Sequence, residues 1–138
     1  MDKTREFIKD FLKYMQARDL KNMVNLFAEE VAWEIPGDTK RIKWLGVRTC
    51  KAEVQHFFKL LWTETQPISA EIHKIICDQN DVMIKGAFTT KMLKTNENVT
   101  SIFFIHFKLQ NMKIVEYTLL EDSFAVSNAF NSSNSFIS

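Results

Sequence analysis

Apolar positions fall at helical spacing in the first half of the chain and at a spacing of two in the second. After Thr4, the residues Phe7, Ile8, Phe11, Leu12 and Met15 recur with Lys, Asp and Gln between them. That spacing predicts an amphipathic helix of about three to four turns with Thr4 as its cap. Asp19 predicts the cap of a second, short helix, with Leu20, Met23, Val24 and Phe27 along one face. Two helices with a tight break make an αα-hairpin. Val31 to Ile35 alternates and is stopped by Pro36-Gly37, the pattern of a short strand. Asp38 to Val47 reads as irregular, with Trp44 and Gly46 inside it. Thr49 or Cys50 then caps a third helix, which buries Val54, Phe57, Phe58 and Leu61 and carries Glu53 in its first turn. Pro67 closes the helical region.

From Ile68 on, the pattern predicts four strands: Ile68 to Asp78, Val82 to Met92, Val99 to Leu109 and Met112 to Phe124. Gln79-Asn80, Lys94 to Asn98 and Gln110-Asn111 are the turns between them. Helices followed by grouped strands indicate an α+β fold with an antiparallel meander. Ile102-Phe103-Phe104-Ile105 is apolar on both faces, so both faces of that strand should be covered. The helices cover one face; a second copy of the chain is the expected cover for the other, giving a homodimer through the sheet face. Residues 1–126 read as one domain and residues 127–138, rich in Asn and Ser, as a polar tail.

Composition sharpens this picture in one respect. The 138 residues include 12 Phe but only 3 Gly and 2 Pro. So many rings imply a thick aromatic core or a ring-lined cavity. Net charge is +1, and the densest basic cluster, Lys40, Arg41 and Lys43, is too short for a nucleic-acid stripe, so no nucleic-acid partner is expected. Cys50 and Cys77 have no metal-ligand spacing, and His56, His73 and His106 are scattered, so no metal or cofactor is expected. The N-terminal residues are unlike a signal peptide and no apolar run approaches a membrane span. The expectation is a cytoplasmic protein without a membrane partner.

Ala17-Arg18-Asp19-Leu20 followed by Leu26-Phe27-Ala28-Glu29-Glu30-Val31-Ala32-Trp33 resembles the opening of SnoaL-like and ketosteroid-isomerase-like proteins of the nuclear-transport-factor-2-like superfamily. Gly46, the Phe57-Phe58 helix, His106-Phe107-Lys108 and Lys113-Ile114-Val115-Glu116-Tyr117 continue the resemblance over about residues 5 to 126. It implies a cone-shaped fold, about three N-terminal helices packed on a curled, mostly antiparallel sheet, with a deep pocket between helices and sheet. It does not carry a reaction over, because the superfamily holds isomerases, cyclases, dehydratases, hydrolases and plain binders. The isomerase base falls at Ile35, its tyrosine donor at Phe11 and its acid donor at Ile105. None of these side chains can move a proton. The acid/base of the cyclases falls near Leu119, also apolar.

The remaining polar candidates for catalysis are Glu121 on the last strand, His73 on the first long strand and Tyr14 on the first helix. Each has a plainer reading, as a strand-end carboxylate, a sheet histidine and a boundary tyrosine. Trp33, Ile35, Trp44, Phe57, Phe103 and Tyr117 are the candidate ligand contacts. The expected function is binding of a small apolar or aromatic molecule, with isomerase- or cyclase-like proton transfer as its catalytic form. The alternative is a non-catalytic binding or association module that uses the sheet face around Phe104 and His106.

Overall fold

The computed structural model describes residues 2–130. Its elements are α1 (Asp2–Ala17), α2 (Leu20–Val24), β1 (Phe27–Ile35), β2 (Gly46–Cys50), α3 (Lys51–Glu64), β3 (Thr65–Asp78), β4 (Asp81–Met92), β5 (Glu97–Gln110), β6 (Lys113–Glu121) and α4 (Ser123–Phe130). The expected α+β class is what forms. One six-stranded sheet runs in the order β2-β1-β6-β5-β4-β3. All neighbours are antiparallel except β1 and β6, which are parallel.

Several boundaries differ from the sequence expectation for local reasons. Thr4 lies inside α1 rather than at its cap. The helix closes at Arg18, which adopts φ +53 while Arg18 N donates to Met15 O and Asp19 N to Tyr14 O. This is the paired hydrogen-bond closure that glycine usually supplies. Here an arginine fits because its guanidinium bonds the carbonyls of Trp62 and Thr65 and the Thr65 hydroxyl. Asp19 caps α2 as expected, accepting from Asn22 N, but α2 stops at Val24 and Phe27 opens β1 instead. The Asp38 to Val47 stretch ends in a strand, β2, absent from the sequence reading. Cys50 stands at the N-cap of α3 without a side-chain bond; the Glu53 carboxylate accepts from Thr49 N and Oγ1 in its place. The last strand ends at Glu121, not Phe124, and the chain turns into α4, capped by Asp122, whose Oδ1 accepts from Ala125 N. The expected tail thus begins within a helix, and residues 131–138 lie outside the described residues.

The inward faces of β1, β4, β5 and β6 bury Trp33, Ile35, Val82, Ile84, Phe103, Ile105, Phe107, Ile114 and Tyr117 under α1 and α3, which contribute Phe7, Ile8, Phe11, Val54, Phe57 and Phe58. Two backbone features curl the sheet. The β3–β4 register shifts between Ile72 and Lys74, a bulge at His73, and bulges bend and twist strands. Gly86 lies opposite Ile72 and Phe103. A Cβ there would come within 2.6 Å of Phe103 Cζ, and closer still to the Glu71 carbonyl oxygen. The Phe103 ring therefore lies across bare backbone. On the opposite face of the sheet, Ile76, Met83, Ile102, Phe104 and Leu120 are exposed, so this chain alone does not cover both faces of β5.

Gly86→Ala is expected to destabilise the fold by about 1–3 kcal/mol, the usual cost of overpacking. Urea denaturation reads this as a lower midpoint with an unchanged slope; an unchanged midpoint would mean that Phe103 does not need the bare backbone.

Candidate functional site

The interior has two tiers set by strand register. In the closed tier, the parallel β1–β6 pairing places Trp33 beside Tyr117. Their rings stack at 4.2 Å with 15° between planes. Phe57 meets Trp33 edge-on at 4.7 Å and Phe27 contacts both Trp33 and Tyr117 at 5.7 Å. Phe11 joins from α1, 5.1 Å from Phe107 and 6.3 Å from Tyr117. The interior that the sequence reading assigned to a ligand is filled here by these rings. Trp33, Ile35, Phe57 and Tyr117, four of the expected ligand contacts, are core residues that touch the cluster.

Opposite Trp33 across the β1–β2 pair stands Arg48. Its side chain points inward and is only 8% exposed. The guanidinium carbon lies 4.9 Å from the Phe57 ring centre and 5.9 Å from that of Trp33. Cations are attracted to aromatic faces in this way. Nη2 donates to Lys43 O at 3.5 Å. Burial lowers the Arg48 pKa, partly offset by the Glu53 charge, yet an arginine stays protonated at neutral pH. Sequence reasoning missed this residue because it stood in an unrecognised strand, where Val47 and Thr49 face outward and Arg48 inward.

The open tier is a row across the sheet: Ile72 pairs Gly86, Gly86 pairs Phe103 and Phe103 pairs Glu121. Phe88 lies next to it, 6.1 Å from the Phe103 ring. Ile72 remains 40% exposed, so this end of the inner face is accessible. Glu121 shares the inward face of β6 with Tyr117 and Leu119. It is partly buried rather than an exposed strand end. Burial pushes its carboxyl up to about 7, with the Asp122 charge acting in the same direction. The Tyr117 hydroxyl is pushed upward as well, mainly by burial and secondarily by Glu121. The two side chains are thus in electrostatic reach of each other.

The other sequence candidates separate from this site. His73, displaced by the bulge, is exposed and sits 3.3 Å from Glu71. Tyr14 is partly buried on α1 beside the core. Trp44 is buried in the loop between β1 and β2, together with Ile42 and Leu45. That loop and α4 both follow strand ends at the same end of the parallel β1–β6 pair. Ile35, Phe11 and Ile105 are buried, confirming that apolar groups occupy those interior positions. His106 lies on the outer face, bonded to Asp81 Oδ1 at 2.7 Å. An open groove of about 1130 Å³ lies elsewhere, between Phe27–Ala32, Thr49–Lys51 and Gln110–Val115. Among the described residues, no group of three His, Cys, Asp or Glu side chains could hold a metal, and no helix is long and apolar enough to cross a membrane.

The state of Glu121 has a consequence for stability. With a folded pKa of about 7 against an ordinary 4.5, the folded protein holds a proton that the unfolded chain has lost. Its contribution is full below pH ~4.5 and is lost as pH rises through about 7, up to ~3 kcal/mol in all. Glu121→Gln should flatten this segment of the stability–pH curve, measured by denaturant unfolding at intervals from pH 4.5 to 8. An unchanged slope would show that the carboxyl is solvated.

A family model described as a SnoaL-like domain matches residues 8–117. No curated protein matches the chain significantly. Among solved structures, an NTF2-like protein from Burkholderia xenovorans is 19% identical with a TM-score of 0.83, covering 95% of this chain and 98% of its own. TerC, co-crystallized with polyporic acid, is 15% identical with a TM-score of 0.79, covering 94% and 98%. An LEH-like epoxide hydrolase of M. tuberculosis is 11% identical with a TM-score of 0.73, covering 99% and 96%. At these identities the structural likeness establishes the fold, a cone whose members have diverged in chemistry. With its helices packed inside a curled sheet and the family pattern running over residues 8–117, the chain belongs to the SnoaL-like domain family.

Proposed function

We propose that this domain binds a small apolar or aromatic molecule on the inner face of the sheet and moves a proton on it through Glu121. The observation that carries this reading is the place of Glu121. It ends a row of apolar inward-facing residues, next to Phe103 and on the same face as Tyr117. A carboxyl with a pKa near 7 is suited to both giving and taking protons at neutral pH. The ligand would rest on Phe103, Phe88 and Leu119 and against the rings of Trp33 and Tyr117, which part to admit it. Glu121 then does from the end of β6 what an aspartate at the Ile35 position does in ketosteroid isomerases. That another protein of this fold, TerC, was co-crystallized with polyporic acid supports a small-molecule reading.

The test is proton exchange on an aromatic ketone with acidic C–H groups, 2-tetralone, followed by NMR in D₂O. Wild-type protein should accelerate deuterium incorporation, with a rate that rises with pH to a plateau above about 7 as Glu121 ionises. Glu121→Gln should lower the rate by roughly 10²–10⁴, the usual contribution of a general base. Incorporation equal to that in buffer would remove the catalytic part.

A second reading has its own observation: the outer sheet face. Ile102 is 54% exposed there beside Phe104, Met83, Ile76 and Leu120, and apolar patches of this kind mark association surfaces. We propose that two copies of the chain associate through this face as a homodimer. This assembly accommodates the proton-transfer reading and would also serve a non-catalytic module. Sedimentation should give a dimer for wild type and a folded monomer for the pair Ile102→Glu and Phe104→Glu. A wild-type monomer at high micromolar concentration would refute it.

A further inference from the structure

Two buried donors in the closed tier have no partner among the described residues: Trp33 Nε1 and Arg48 Nη1. They come from directly paired positions of β1 and β2 and face the same side. Arg48 is more than nine-tenths buried against Phe57 and Trp33. A guanidinium out of water ordinarily has a carboxylate beside it, since burying a charge without a partner is costly. Among the described residues no carboxylate bonds Arg48: Glu53, the acid whose charge it feels, is bonded to Thr49. Among the described residues the guanidinium donates to the Lys43 carbonyl alone, at 3.5 Å, beyond the usual range. Trp33 likewise has its rings packed on every side and its N–H unanswered.

From this geometry we infer that Arg48 and Trp33 form an oxyanion site that receives the carboxylate of a small aromatic acid. The ligand's negative oxygens take the two free N–H groups, and its apolar body displaces the contacts among Trp33, Phe57 and Tyr117. Arginine and indole N–H both donate and neither accepts, so the pair selects acceptors, and the arginine charge favours an anion over a neutral acceptor. The carbonyl of Lys43, in the β1–β2 loop, now holds Nη2. The inference rests on the reading that the interior admits a small aromatic molecule, but not on proton transfer by Glu121.

The probes are benzoate and benzyl alcohol, the same ring with and without the anion, added to the full chain. Binding is read from the indole N–H resonance of Trp33, assigned by its loss in Trp33→Phe. Benzoate should shift that resonance saturably and bind at least tenfold more tightly than benzyl alcohol. Arg48→Met should remove the preference for benzoate, and Arg48→Lys should keep part of it. If Arg48→Met fails to fold, the wild-type resonance still decides. Equal binding of both probes overturns the oxyanion site and leaves the interior-binding reading standing. A shift reproduced by the same concentration of chloride means an adventitious anion only, and overturns it too. No binding of either probe overturns both.

Discussion

The stack of Trp33 on Tyr117 is the contact on which the remainder of this structure depends. It joins β1 to β6, strands far apart in sequence, through the sheet's one parallel pairing. A parallel neighbour needs a long connection, and here the connection is the whole intervening fold. An aromatic pair contributes about 0.5–1.5 kcal/mol beyond the area it buries. Its larger effect is organisational. Phe57 and Phe58 seat α3 on it, Phe11 seats α1, and Phe27 fills the angle between them. Arg48 brings β2 to the same ring from the sheet edge. The floor of the cone and the seating of both long helices therefore share one set of rings.

That arrangement explains which features could be read in the sequence. The long helices and the strands β4 and β5 were legible because burial there follows one period per element, as in Val99, Ser101, Phe103, Ile105, Phe107 and Leu109. The resemblance added the cone, and it located Ile35, Phe11 and Ile105 where relatives keep polar groups. What was illegible came from non-local contacts. The strand β2 is camouflaged, because Val47 faces solvent at 68% exposure while Arg48 is inside. Phe27 fits the α2 face by spacing, yet β1 takes it because its ring packs on Trp33 and Phe58. The bulge at His73 changes parity without any local signal. Glu121 is a strand terminus, as the sequence suggests, but it pairs with Phe103 on the neighbouring strand and is partly buried there.

The electrostatics of the interior follow from the same packing. Ile35, Phe11 and Ile105, all buried, leave a medium in which any charge is poorly solvated. Glu121 responds by holding its proton to about pH 7, and Arg48, which cannot release its own, lies against the faces of Phe57 and Trp33. One group is thereby neutral over much of the accessible range and the other is always cationic. An interior with a fixed positive charge and an adjustable acid differs from an inert core. It also differs from the carboxylate-centred sites of ketosteroid isomerases. Selection for stability alone would favour an apolar residue at each position, since buried charges seldom repay their desolvation.

The central claim is that this interior receives a small aromatic molecule although its own rings now fill it. Intermolecular nuclear Overhauser effects test that claim directly, using isotope-labelled protein and an unlabelled aromatic probe. Cross-peaks are expected from the probe to the ring protons of Trp33, Phe103 and Tyr117, with weakened Trp33–Tyr117 contacts in the bound form. Cross-peaks confined to Ile102 and Phe104 on the outer face, or none at all, would contradict it and leave the cluster as a hydrophobic core.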